Sequence, residues 1–399
     1  MHLRARHIEK ILLKRAKIFP VLGVLGPRQV GKSTFLMDQF APKRKAAYLT
    51  FDKHEILLRA HRAPGQFLMD ESYDQTVPLV IDEAQKVPHI FDSIKALVDA
   101  ERRMGLFTLS GSVEFSSKSG VRESLAGRMG ITRLYPMTLR EINTQAFQDP
   151  WVQWNFEKLS ALAPKSIETW LDRGGMPIFC GLSDIDERMT LVNSWLEAIC
   201  YRDLMQLKDG PYDSLLALQL LEMIASEAHF STAAHAASRL RVTAKAIQKH
   251  LSALLSLFLL YELPSCENPR ATPRYRIFDA GVLNTLLGGR ETRESRHSSL
   301  VTLVINEIFA QYEYAGKLKP NLYYYQTRGG AAIDLVLKTR GALVGIECVT
   351  SVDISPYVQR GMKSFLEKYP EARGYFIAPV QEGFQIEKNI HVIPWRCMG

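Results

Sequence analysis

The stretch VLGVLGPRQVGKSTFL, residues 21–36, constrains this chain more than any other. An apolar run enters a loop of the form G-x-x-x-x-G-K-S and leaves it in residues that favour a helix. Such a loop belongs between a buried strand and a helix N-terminus. Its glycines let the backbone curl until several N–H groups point at one set of phosphate oxygens, and the helix adds its positive end. Gly26, Pro27, Arg28, Gln29, Val30, Gly31, Lys32, Ser33 and Thr34 are therefore expected to wrap a nucleotide's phosphates. Lys32 is placed to neutralise the β- and γ-phosphates and Ser33 to ligate Mg²⁺. The bare pattern arises by chance in roughly one or two chains per hundred of this length, so a second element has to support it.

VPLVIDEAQKVP, residues 77–88, is that element. Leu79, Val80 and Ile81 read as a buried parallel strand ending in Asp82 and Glu83, and α/β sheets place ligands at such ends. Asp82 is expected to hold Mg²⁺ through water, and Glu83 to polarise an attacking water. A carboxylate in that second role favours hydrolysis over phosphoryl transfer to a small molecule. A third strand, GLFTLSGS, ends at Ser110 and Ser112, either of which suits a bond to the γ-phosphate or the water. A fourth, AAYLTFD, ends at Asp52. In RESLAGRMG, Arg122 and Arg128 are both candidates for a guanidinium that stabilises transition-state charge, in this subunit or a neighbour. ATP and Mg²⁺ are the expected cofactors.

With 399 residues, the chain needs more than one domain. Five scattered cysteines without a C-x-x-C argue against a disulfide framework or a zinc site. The basic start before the first apolar run reads as a lead-in to the phosphate-binding strand rather than a signal peptide. No run reaches the roughly 18 apolar residues of a membrane span. A cytoplasmic protein without a membrane partner is expected. The net charge of +8 favours an anionic partner, weakly for so large a chain.

Beyond residue 150 the helical period takes over. KSIETWLDRGG reads as a helix ended by Gly174 and Gly175, expected to form a lid over the nucleotide. HFSTAAHAASRLRVTAKAIQKHLSALLSLFLL reads as helix, turn, helix. In its second helix Ile247, Leu251, Leu254, Leu255 and Phe258 share one face, with Lys245 and Lys249 opposite and Arg239 and Arg241 just before. This is how a helix presents positive charge to double-stranded DNA through phosphates. It is also what any surface helix shows.

GPRQVGKST, VIDEAQKVP, LSGS, ESLAGR and LYPMTLREI resemble the AAA+-type P-loop ATPases of bacteria and archaea that carry a winged-helix middle and a C-terminal PD-(D/E)-x-K nuclease-like domain. RGGMPIF, YRDLMQL and RYRIFDAGVLNTLL extend the likeness along nearly the whole chain. The resemblance implies an α/β architecture: a P-loop parallel sheet in 1–150, a helical lid in 151–205, a winged helix in 206–290 and a restriction-endonuclease-like domain in 291–399. It also implies nucleotide-dependent assembly, hence a homo-oligomer. In nucleases of the last type a helix carboxylate, a strand Asp and an E-x-K bind Mg²⁺ and activate water. Glu307, Asp334 and Glu347 match the carboxylates, but the lysine position holds Val349, and Ala332 stands where the family often has Glu. The expected outcome is a degenerate nuclease site on an ATP-driven switch that acts on nucleic acid. The alternatives are a scaffold that ATP assembles around an unknown protein partner and, third, an ATP-gated nuclease.

Overall fold

The computed structural model describes residues 4–71, 77–115, 125–156, 164–207, 210–227, 232–289, 292–339 and 341–399. Arg122 lies outside them. The chain forms two compact units. The first holds residues 1–135 with 204–211 and 256–258; the second holds 136–203, 212–255 and 259–399. Residues 136–203 fall in the same unit as the C-terminal half.

The first unit is built on a parallel sheet of β1 (Val21–Leu25), β2 (Ala47–Thr50), β3 (Leu79–Asp82), β4 (Phe107–Gly111) and β5 (Met129–Arg133), in the order β2-β3-β4-β1-β5. β1, β3 and β4 are buried throughout, as near-continuous apolar runs in a sheet covered on both faces should be. Val21, Leu25, Ile81, Phe107 and Leu109 pack with Ile90, Phe91 and Ile94 of the helix Ile90–Glu101 in one core. The phosphate-loop segment and the Asp82–Glu83 pair leave β1 and β3 at the same end of the sheet, because the strands are parallel.

In the second unit the helix Pro164–Arg173 stops at Gly174, which takes a left-handed φ of 70°, as a C-terminal glycine does. It packs among the unit's own helices. Asn284 of the helix Ala280–Leu286 donates to the Leu171 carbonyl at 2.8 Å, and Arg296 of the helix Arg293–Tyr314 pairs with Glu168. Three further helices, Ser214–Ser226, Ala233–Leu240 and Ala244–Ser256, precede an antiparallel hairpin of β6 (Leu260–Leu263) and β7 (Arg274–Ile277). A six-stranded mixed sheet completes the unit. Its strands are β8 (Asn321–Gln326), β9 (Ala332–Lys338), β10 (Leu343–Cys348), β11 (Arg373–Ala378), β12 (Phe384–Glu387) and β13 (Ile390–Pro394), ordered β12-β13-β11-β10-β9-β8. Between β10 and β11 the helix Pro356–Lys368 makes the crossover that a parallel pair requires. No helix among the described residues is long and apolar enough to cross a membrane.

Candidate nucleotide site

The loop after β1 is shaped by two left-handed residues, Gln29 (φ 61°) and Gly31 (φ 98°). Gly26 is required by close approach: a Cβ there would lie 2.3 Å from the Leu134 carbonyl oxygen. Lys32 opens a helical segment that continues to Arg44, and it is only 4% exposed. Its ammonium donates to the Gly26 and Pro27 carbonyls, 2.9 Å each, so the loop and its lysine form one piece. Arg6 ties that piece to the sheet by donating to the Val30 carbonyl at 2.8 Å and the Tyr135 carbonyl at 2.7 Å. Its buried guanidinium is a feature the sequence reading missed. An Arg ahead of the first strand carries no pattern of its own.

Asp82 is 1% exposed. One carboxylate oxygen accepts from the Ser110 hydroxyl, the other from the Tyr48 hydroxyl at 2.9 Å. Burial, with Asp82 beside it, pushes the Tyr48 pKa up, so the phenol stays a neutral donor. Glu83 has a left-handed φ of 56°, and its N–H donates to Ser110 at 3.2 Å. The Glu83 carboxylate accepts from the Gln85 amide and from the Ser112 hydroxyl, the latter at 3.2 Å. Gln85 and Tyr48 also escaped the sequence reading. A polar residue after the acidic pair and a Tyr within a strand are both common for packing reasons alone. The strand ends therefore bring together Lys32, Ser33, Asp82, Glu83, Ser110 and Ser112. A hydroxyl and a carboxylate around one point are the hard oxygen donors that Mg²⁺ takes, and it normally completes its shell with water and phosphate oxygens. The residues fit that ion.

Arg128 is placed elsewhere. It immediately precedes β5, whose first residue Met129 lies opposite Val21, at the sheet end away from the loop. Five strand residues separate the two ends, roughly 16 Å. Its guanidinium makes a two-pronged pair with Asp99, at 2.5 and 3.0 Å. As a catalytic group of its own subunit's site, Arg128 is corrected by this placement. At the loop end of β5 stands Arg133, paired with Glu114 at 2.6 Å and stacked on Phe258.

Two further sequence-derived groupings change in the structure. In the helix Ala244–Ser256, Ile247, Leu251 and Leu254 are buried as expected, while Phe258 lies past the helix end. Lys245, Arg239 and Arg241 are exposed, with Arg239 paired to Glu227. Lys249, half-buried, sits 4.8 Å from the Tyr212 ring centroid, a cation–π contact.

The second change concerns the three carboxylates. Asp334 and Glu347 do meet across β9 and β10: the Asp334 N–H donates to Glu347 at 3.2 Å. Glu307 does not join them. It accepts from the Leu139 N–H at 2.7 Å and from Gln311 at 3.0 Å, and burial pushes its pKa up to about 7. The helix residue beside Asp334 is His297, at 3.0 Å, ten residues or about 15 Å before Glu307 along the helix. Burial and Asp334 push the Glu347 pKa up, while Asp334 raises that of His297. Val349 is 7% exposed and packs in the apolar core of this sheet. No group of three or more His, Cys, Asp or Glu side chains able to hold a metal ion occurs among the described residues.

Residues 19–143 match the family model described as AAA domain. With the loop, the acidic strand end and the five-stranded parallel sheet, that match makes residues 19–143 a P-loop ATPase domain similar to the AAA family. Residues 164–293 and 298–398 match two families described as domains of unknown function, DUF8612 and DUF4143. Uncharacterized proteins of Mycobacterium tuberculosis and Mycobacterium bovis are each 25% identical over 383 residues, covering 94% of this chain and 80% of theirs. Among solved structures, AMPPCP-bound DnaA from Aquifex aeolicus aligns at 11% identity and a TM-score of 0.31, over 62% of this chain and 85% of that one. A Pyrococcus horikoshii STAND protein with a tetratricopeptide repeat sensor aligns at 9% and 0.30, over 78% and 47%.

Proposed function

We propose that this chain binds and hydrolyses ATP with Mg²⁺ and uses the nucleotide state as a switch on nucleic acid. The observation that carries the proposal is the convergence of Lys32, Ser33, Asp82 and Glu83 at one sheet end, with Glu83 held by Gln85 and Ser112. Bound Mg-ATP supplies the phosphoryl group and the metal's charge. Lys32 would exchange its two carbonyl partners for phosphate oxygens, and Ser33 and Asp82 would hold the ion. Ser110 keeps Asp82 aimed, and Glu83 orients the attacking water. Arg128 contributes only to a neighbouring subunit's site, after release from Asp99, which makes a homo-oligomer part of the proposal.

The nucleic-acid half of the proposal is supported by three helices followed by a hairpin, the element order of a winged helix, and by the exposed Arg239, Arg241 and Lys245. These suit backbone phosphates rather than base edges. The C-terminal sheet is read as a nuclease-like fold without cleavage chemistry, because Val349 is committed to the core and Glu307 to another partner.

Steady-state ATP hydrolysis with and without duplex DNA, at low and physiological salt and with Lys32→Ala as the blank, tests this. Hydrolysis absent in Lys32→Ala and stimulated by DNA, with the stimulation falling as salt rises, is expected. Hydrolysis indifferent to DNA overturns the nucleic-acid half and leaves the protein scaffold.

A further inference from the structure

Tyr48 lies in β2, opposite Val80, two positions before the Thr50–Asp82 pair at the sheet end. Two residues of strand are roughly 6.6 Å, a gap that a phenol spans and a serine or threonine does not. Its hydroxyl donates to Asp82 at 2.9 Å. Tyr48, Asp82 and Ser110 therefore form one chain of hydroxyls and carboxylate across three strands. Its central carboxylate is one of the two groups that fit the cation. A carboxylate that is 1% exposed has to find donors for both oxygens or turn toward them. Ser110 serves one oxygen, and Tyr48 serves the other.

We propose that the Tyr48 hydroxyl is a positioning group for Mg²⁺ at the nucleotide site, holding Asp82 in the orientation that the ion requires. Partners behind a metal ligand that fix its orientation set metal affinity, and their loss typically costs 10–100-fold. This inference rests on the nucleotide-binding reading above and adds one specific claim to it. The nucleotide's own grip, through Lys32 and the loop N–H groups, does not depend on Tyr48. Its coupling to the divalent ion does.

Tyr48→Phe removes the hydroxyl and keeps the ring's volume. The experiment titrates a fluorescent non-hydrolysable ATP analogue into the full chain and into the variant, once in excess Mg²⁺ and once in EDTA, and then titrates Mg²⁺ at fixed analogue. The expected result is unchanged affinity in EDTA and a roughly tenfold higher Mg²⁺ requirement in the variant. An unchanged Mg²⁺ requirement, or a lower one, overturns the proposal; a lower one would mean that the phenol competes with the ion. Loss of binding in EDTA as well would also overturn it, showing that Tyr48 serves the fold and not the cation. Failure of the unsubstituted chain to bind the analogue under either condition would instead overturn the nucleotide-binding reading itself.

Discussion

Glu83 is held by several constraints at once. A non-glycine residue at a φ of 56° sits in a sparsely occupied backbone region, at a cost on the order of 1–2 kcal/mol. Gln85 and Ser112 then fix its carboxylate. The position is stable only because Ser110 receives its N–H and the adjoining Asp82 is buried. Such an arrangement fixes the carboxylate's direction, as the proposed role of orienting water requires. Glu83→Gln keeps the shape and the bond to Ser112 but removes the charge that polarises water. Its turnover should fall by about 10²–10⁴-fold with nucleotide affinity little changed, which steady-state hydrolysis beside an equilibrium binding titration would show. An equal loss in both would make Glu83 a binding residue. The acidic pair was legible in the sequence because it ends an apolar run. The residues that position it were not, since Gln85 and Tyr48 acquire their roles only when β2, β3 and β4 lie side by side.

At the scale of elements, the turn after the helix Pro164–Arg173 and the start of the helix Ala280–Leu286 are joined through one carboxylate. Asp279 is fully buried and accepts the N–H groups of Gly175 at 2.7 Å, Gly281 at 2.9 Å and Val282 at 3.2 Å. The approach is so close that a Cβ at Gly174 would lie 2.2 Å from it. Asp279 thus caps one helix and holds the glycine turn that ends another, a hundred residues away. Asp279→Ala leaves those donors buried without a partner, and the second unit should lose about 3 kcal/mol, measurable as a lower midpoint in urea unfolding. The helices and strands themselves could be read from period and punctuation. The location of Glu307 could not. From Ser299 to Tyr312 every residue of its helix is buried, so no apolar stripe marks which face looks at the β9–β10 pair. His297 took the place expected for Glu307 because the helix crosses that pair nearer its N-terminal end.

At the scale of the whole chain, burial of acids away from full charge compensation gives stability a direction in pH. Asp279 is pushed from its ordinary 3.8 up to about 6, and Glu307 from 4.5 up to about 7, both mainly by burial. A raised acid binds its proton more tightly in the folded state than in the unfolded one. Its contribution is therefore complete below the unfolded value and is lost as pH climbs to the folded one. His297, raised beside Asp334, works in the same sense. Asp334 itself is held below its usual range, so its opposite contribution is lost only below about pH 4. Between about pH 4.5 and 7 the raised groups govern, and each tenfold difference in proton affinity is worth about 1.4 kcal/mol. The thermal midpoint should therefore decline from pH 5 to pH 7.5. Glu307→Gln keeps an oxygen for the Leu139 N–H yet cannot ionise, so it should flatten the decline. A parallel pair of profiles would mean that Glu307 keeps its charge in the folded chain, with Arg140 beside it as the compensating cation.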